Sequence, residues 1–97
     1  MMNKKELYKL AIETYGEEAQ INQGIEEMAE LILAVNKFRR NHRYDPEWDN
    51  IVEEIVDVEI MLEQYKIIYQ IPDNEISEYK NQKLKRLAER LEVSEHD

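Results

Sequence analysis

The sequence predicts an all-α, four-helix domain with two long central helices and a bundle completed by homo-oligomerisation. Three observations predict it. Apolar residues recur at steps of three and four along most of the chain, the period of a helix face rather than a strand. The 97 residues include only two Gly and two Pro, and strong helix formers fill the rest. Finally, the two central helices are apolar on more than one side, which is more surface than a four-helix monomer of this length can cover. A homodimer, or dimers paired into a tetramer, is therefore expected.

The first helix is expected from about Lys4 to Thr14, on Leu7, Leu10 and Ala11, and to break at Gly16. The second runs from about Glu17 to Arg40, with Ile21, Ile25, Met28, Ile32 and Val35 as its main stripe. Leu31, Leu33, Ala34 and Phe38 flank that stripe, and a narrow polar strip carries Gln20, Gln23, Glu27 and Glu30. Residues 41–44 read as a polar connection. Asp45-Pro46 then offers an N-cap and a proline at the first helical position. The third helix continues to about Tyr69 on Ile51, Ile55, Val58, Leu62 and Tyr65. A second stripe holds Val52, Val56, Ile60 and Ile67, and Asn50, Glu54, Asp57 and Met61 run between the two. Ile71-Pro72-Asp73 interrupts, and Asp73 or Asn74 is placed to cap a fourth helix reaching Leu91 on Ile76, Tyr79, Leu84 and Leu87. Residues 92–97 read as a fraying tail. No repeat or linker divides the chain, so 1–97 is one domain.

The balance of charge restricts partners. A formal net charge of −9 opposes binding to a nucleic-acid polymer or an anionic membrane, but admits an anionic small molecule if metal ions invert the local field. The absence of cysteine excludes disulfides, thiol nucleophiles and thiolate metal sites. No apolar run reaches membrane length, and Met1-Met2-Asn3-Lys4-Lys5-Glu6 leads into no apolar signal core. A cytoplasmic location is expected.

Two acidic pairs stand apart from the other charges. Glu27 and Glu30 lie within Ile25–Ile32, and Glu54 and Asp57 within Ile51–Val58. Each pair is spaced i,i+3, so its side chains share a helix face. In a chain with 22 acidic residues a lone acidic pair is ordinarily a solvated surface. Other acids have cations at helical spacing, as Glu63 with Lys66 and Lys85 with Glu89. These four have none at i±3 or i±4, and apolar residues surround them. Like charges gathered without a cation resist ionisation unless something positive joins them. Oxygen-only ligation suits Mg²⁺, with Mn²⁺ as substitute. The rival carboxylate-bundle chemistry, a di-iron site, needs a His three residues after a ligating Glu, and His42 and His96 follow Arg39 and Val93 instead.

The pattern Glu26-Glu27-x-x-Glu30, then Glu54-x-x-Asp57 after residues 31–53, resembles the signature of the MazG-like all-α nucleoside triphosphate pyrophosphohydrolases. Tyr15-Gly16 and Gln20 upstream, and Asp57 through Leu62 downstream, are similar to the short single-domain members. The likeness spans about residues 12–90. It implies a magnesium-dependent enzyme that converts a nucleoside triphosphate to the monophosphate and pyrophosphate. It also implies Glu27, Glu30, Glu54 and Asp57 as metal ligands, in a helical bundle assembled from dimers or tetramers.

The remaining roles are read from the residues. Glu26, beside the metal pair, is the general-base candidate, with a solvated partner of Asn22 or Arg39 as its plain alternative. Glu53 precedes the second pair similarly but falls nearer solvent. Gln20 and Gln23, on the acidic strip, are candidates for a base edge or an ordered water, with a polar helix start as their plain alternative. Lys80, Lys83 and Arg86, at steps of three on the fourth helix, are candidates for the triphosphate charge that metals leave uncovered, or else a solvated basic face. Trp48 is either a stacking platform or a packing anchor. Two other readings compete: a metal- and nucleotide-binding module without turnover, and a structural acidic dimer.

Overall fold

A computed structural model describes residues 1–41 and 45–92, and among them there are four helices and no strand. They are α1 (Lys4–Tyr15), α2 (Glu17–Arg40), α3 (Asp45–Ile68) and α4 (Asp73–Arg90). Of the expected connection at 41–44, residues 42–44 lie outside the described residues, as does the tail beyond Glu92, and Asp45, expected as a cap, is the first residue of α3.

Local chemistry sets the helix ends. Asn3 caps α1, its Oδ1 accepting the Glu6 N–H at 2.8 Å. Gly16, at φ +94°, joins α1 to α2 by itself. Its N–H closes α1 onto the Ile12 carbonyl at 2.8 Å, and its carbonyl accepts the Gln20 N–H at 3.1 Å to open α2. A side chain there would be strained, which is why glycine ends the first helix. At the end of α3, Gln70 takes φ +56°. The Gln70 N–H returns to Ile67 at 3.1 Å and the Ile71 N–H to Lys66 at 2.9 Å, the paired closure of a Schellman turn. Pro72, not Asp73 or Asn74, occupies the cap position of α4, and no side chain caps that helix. Proline fixes the entry, so both expected caps are displaced into or beyond the first helical residue.

The antiparallel pair α2–α3 is the body of the molecule, and α1 packs on both. The seam differs from expectation. Its α2 side is Gln20, Gly24, Glu27, Leu31, Ala34 and Phe38, while three residues of the main apolar stripe of α2, Ile25, Ile32 and Val35, face outward and Ile21 and Met28 are half-buried. The small residues Gly24 and Ala34 decide this, because they let α3 approach the polar strip more closely than bulky side chains would. Tyr65 lies directly over Gly24 and donates from its hydroxyl to the Ile21 carbonyl at 2.6 Å. Gln20 donates to Gln64 across the same seam at 2.7 Å, and both are buried.

Little of the chain is enclosed. Among the described residues the buried apolar side chains are Ala34, Val58 and Met61. The fourth helix packs against none of the other three. The radius of gyration is 17.1 Å, against about 13 Å for a compact chain of this size. The expected excess of apolar surface is thus present.

Candidate metal centre

Halfway along the α2–α3 seam, carboxylates take the place of core side chains. Glu27 and Glu30 project from one helix and Glu54 from the other, each offering an oxygen, all within 4.8 Å of one another. The i,i+3 spacing on α2 turns its two acids toward the same point, and antiparallel packing brings the middle of α3 opposite. Asp57 lies outside this trio but close enough for its charge to act on both Glu27 and Glu54. The structure therefore gathers three of the four acids singled out from the sequence and leaves Asp57 beside them.

Burial and like charge together favour the neutral form of two of these acids. Burial, then the charges of Glu30 and Glu27, push the Glu54 carboxyl up to about 7. Glu27 is also raised, mainly by burial, with Asp57 and Glu30 adding to the effect and a hydrogen bond from Gln23 opposing it. One oxygen of each, Glu27 Oε2 and Glu54 Oε2, is buried without a hydrogen-bond partner. Orphaned buried oxygens are costly, and native folds rarely leave them so. Among the described residues the ion pairs are those of Lys66 with Glu63 and Asp73, and none reaches the cluster. Lys85 and Glu89 do not pair. Converging carboxylate oxygens, two of them unsatisfied, fit a hard divalent cation.

The other site candidates are distributed unevenly. Gln23 is exposed and its amide Nε2 donates to Glu27 Oε1 at 2.8 Å, which leaves Glu27 Oε2 as the free oxygen. Gln20 is buried, its amide committed to Gln64, and so holds the seam rather than facing a ligand. Glu26 is exposed, one turn from Glu30 on the same flank, and Glu53 is exposed on the outer side of α3. Lys80, Lys83 and Arg86 are exposed on α4, and the single chain does not bring them to the acids. Trp48 touches Phe38 with ring centroids 5.7 Å apart but is 56% exposed, so both the packing contact and an open ring face are present.

Sequence reading gave no role to Gly24 or Gln64 and placed Met61 and Tyr65 only on helix stripes, yet these four build the polar layer beside the acids. Gln64 Nε2 donates to Met61 Sδ at 3.9 Å, so the layer continues toward Glu54 and Asp57. The signal for it was present: a glycine inside a long helix marks a close approach. Against family models, curated proteins and solved structures the chain shows no match, so the likeness to the MazG-like enzymes rests on the acidic motif and its flanks.

Proposed function

We propose that the chain is a Mg²⁺-dependent nucleoside triphosphate pyrophosphohydrolase, with Mn²⁺ as an alternative ion, acting as a homodimer or tetramer. The observation that carries this reading is the carboxylate cluster of half-buried Glu27 and Glu54 with exposed Glu30, which has two orphaned oxygens and no cation among the described residues. Glu27, Glu30, Glu54 and Asp57 would hold the ion. When bound, the ion supplies positive charge for the triphosphate and lowers the pKa of a water near it.

The chain's own residues do the rest. Gln23 fixes the Glu27 carboxylate, and the Gln20–Gln64 and Tyr65–Ile21 bonds hold the two helices at the spacing the cluster requires. Glu26, on the open flank beside Glu30, accepts the proton of the attacking water. That water adds to the α-phosphorus as the bond to the bridging oxygen breaks, giving the monophosphate and pyrophosphate. Exposed Ile25, Ile32 and Val35 on α2, with Ile55 and Leu62 on α3, form the face that a second copy covers. The test is pyrophosphate release from a panel of nucleoside triphosphates with Mg²⁺, with Mn²⁺ and with chelator. Metal-dependent release supports the reading, and no release from any of them refutes it. Nucleotide binding without release would favour the binding module. Neither metal nor nucleotide binding would leave a structural dimer.

A further inference from the structure

The side of α2 that faces away from α3 has no partner in the chain. Ile25, Ala29 and Leu33 are exposed along its middle, with Ile32 beside them. Asn22 and Asn36 continue the same stripe at either end, and Glu18 and Arg40 close it; all four are exposed. From Glu18 to Arg40 the steps are four, three, four, four, three and four. These positions therefore stay on one helix face over about 33 Å.

That order of steps reads the same in both directions, and its midpoint is Ala29. The chemistry mirrors about that point, with opposite charges at the two ends. Apolar Ile25 and Leu33 are equally far from Ala29, as are the amides Asn22 and Asn36, and the acid Glu18 and the base Arg40. A second α2 running antiparallel across the first would set Ile25 on Leu33, Asn22 beside Asn36 and Glu18 beside Arg40, each contact twice. Ala29 would meet its own copy on the twofold axis, where a methyl group lets two helices approach closely. Among the described residues neither Glu18 nor Arg40 is in an ion pair.

Other arrangements of the same face lose this match. A parallel pair would put Glu18 on Glu18 and Arg40 on Arg40. An antiparallel pair slipped by seven residues sets either Leu33 against Glu18 or Ile25 against Arg40, a charge on an apolar side chain. We propose that two copies associate through an antiparallel α2–α2 seam centred on Ala29. The pairing also lays the flank carrying Glu26 and Glu30 beside its equivalent, a like-charge cost that the two Glu18–Arg40 pairs oppose. The seam rests on the homodimer proposed above and gives it a register, and it is independent of the nucleotide.

The chain has no cysteine, so the register can be read by introducing one. Full chains carrying Asn22→Cys and Asn36→Cys, mixed and mildly oxidised, should form a disulfide between the two. Either chain alone should cross-link at least about ten-fold more slowly, because its own two cysteines would lie about 21 Å apart along the seam. In sedimentation velocity, Glu18→Arg and Arg40→Glu should each weaken self-association about ten-fold, as two attractive pairs become repulsive. An equimolar mixture of these two variants should recover it, and so should a chain carrying both changes. Twice the chain mass with no preference for the mixed disulfide would overturn the seam and leave the homodimer standing. A wild-type monomer would overturn both, whatever the pyrophosphate assay shows. If circular dichroism finds helix content lost in a cysteine variant, the charge reversals decide: recovery in the mixture supports the seam, and its absence overturns it.

Discussion

At Glu54 the fold holds a carboxyl group in a place that favours its neutral form. Burial and the charges of Glu30 and Glu27 raise it from the ordinary 4.5 to about 7. An acid raised on folding stabilises the folded state only while protonated. The metal-free protein should therefore be most stable below about pH 4.5, lose stability as pH rises to about 7, and keep the full loss above that. Glu27 shifts in the same direction. Urea midpoints in chelator at pH 5 and pH 8 should show this loss, and Glu54→Gln should flatten it. If Mg²⁺ binds these oxygens as proposed, it competes there with the proton, so its apparent affinity should climb through pH 7, with proton release visible by calorimetry in two buffers. Glu30→Gln and Asp57→Asn should keep the helices but lower turnover by more than the roughly 10- to 100-fold that even outer-sphere partners of a metal contribute. Glu26→Gln should lower kcat and leave nucleotide affinity nearly unchanged, since the ground state does not use the base. Wild-type turnover in Glu26→Gln would return that residue to the solvated surface.

Between elements, the close approach of α2 and α3 depends on Gly24. A Cβ there would overlap the Tyr65 hydroxyl and ring. Gly24→Ala should destabilise by about 1–3 kcal/mol despite the better helix propensity of alanine. Tyr65→Phe should cost only about 1 kcal/mol, the value of one hydrogen bond. Thermal melts on both will check the order, and a stabilised Gly24→Ala would contradict the seam. The helix boundaries were legible because Gly16 and Pro72 leave the backbone few options. The two acidic pairs were legible because their missing cations can be read directly from the spacing. The seam was not, because each long helix has two apolar faces and a wheel cannot rank them. Small residues and a tyrosine–carbonyl bond decided it, and both depend on the partner helix. The role of Gln20 was hidden for the same reason: its partner, Gln64, is 44 positions away.

For the whole molecule, the exposed faces of α2 and α3 and the unattached α4 leave a single chain with little enclosed apolar surface, and the proposed assembly rests on that. Association and folding should be one event, so the urea midpoint should rise with protein concentration. Light scattering at micromolar concentration should show twice the chain mass or more. Ile32→Asp, which puts a charge at the centre of the outward face of α2, should shift that mass toward the monomer. A stable wild-type monomer with a concentration-independent midpoint would refute the assembly.

Glu54 and Glu27 sit half-buried in the seam, where a helical pair ordinarily places apolar side chains. Replacing Glu54 by Leu should therefore raise the melting temperature of the metal-free protein while removing the ion site, because a well-packed apolar residue relieves both the orphaned oxygen and the repulsion. Stability and chemistry compete for the same few cubic ångströms. A lineage of this chain selected for heat resistance alone would be expected to lose its acids first and keep its fold.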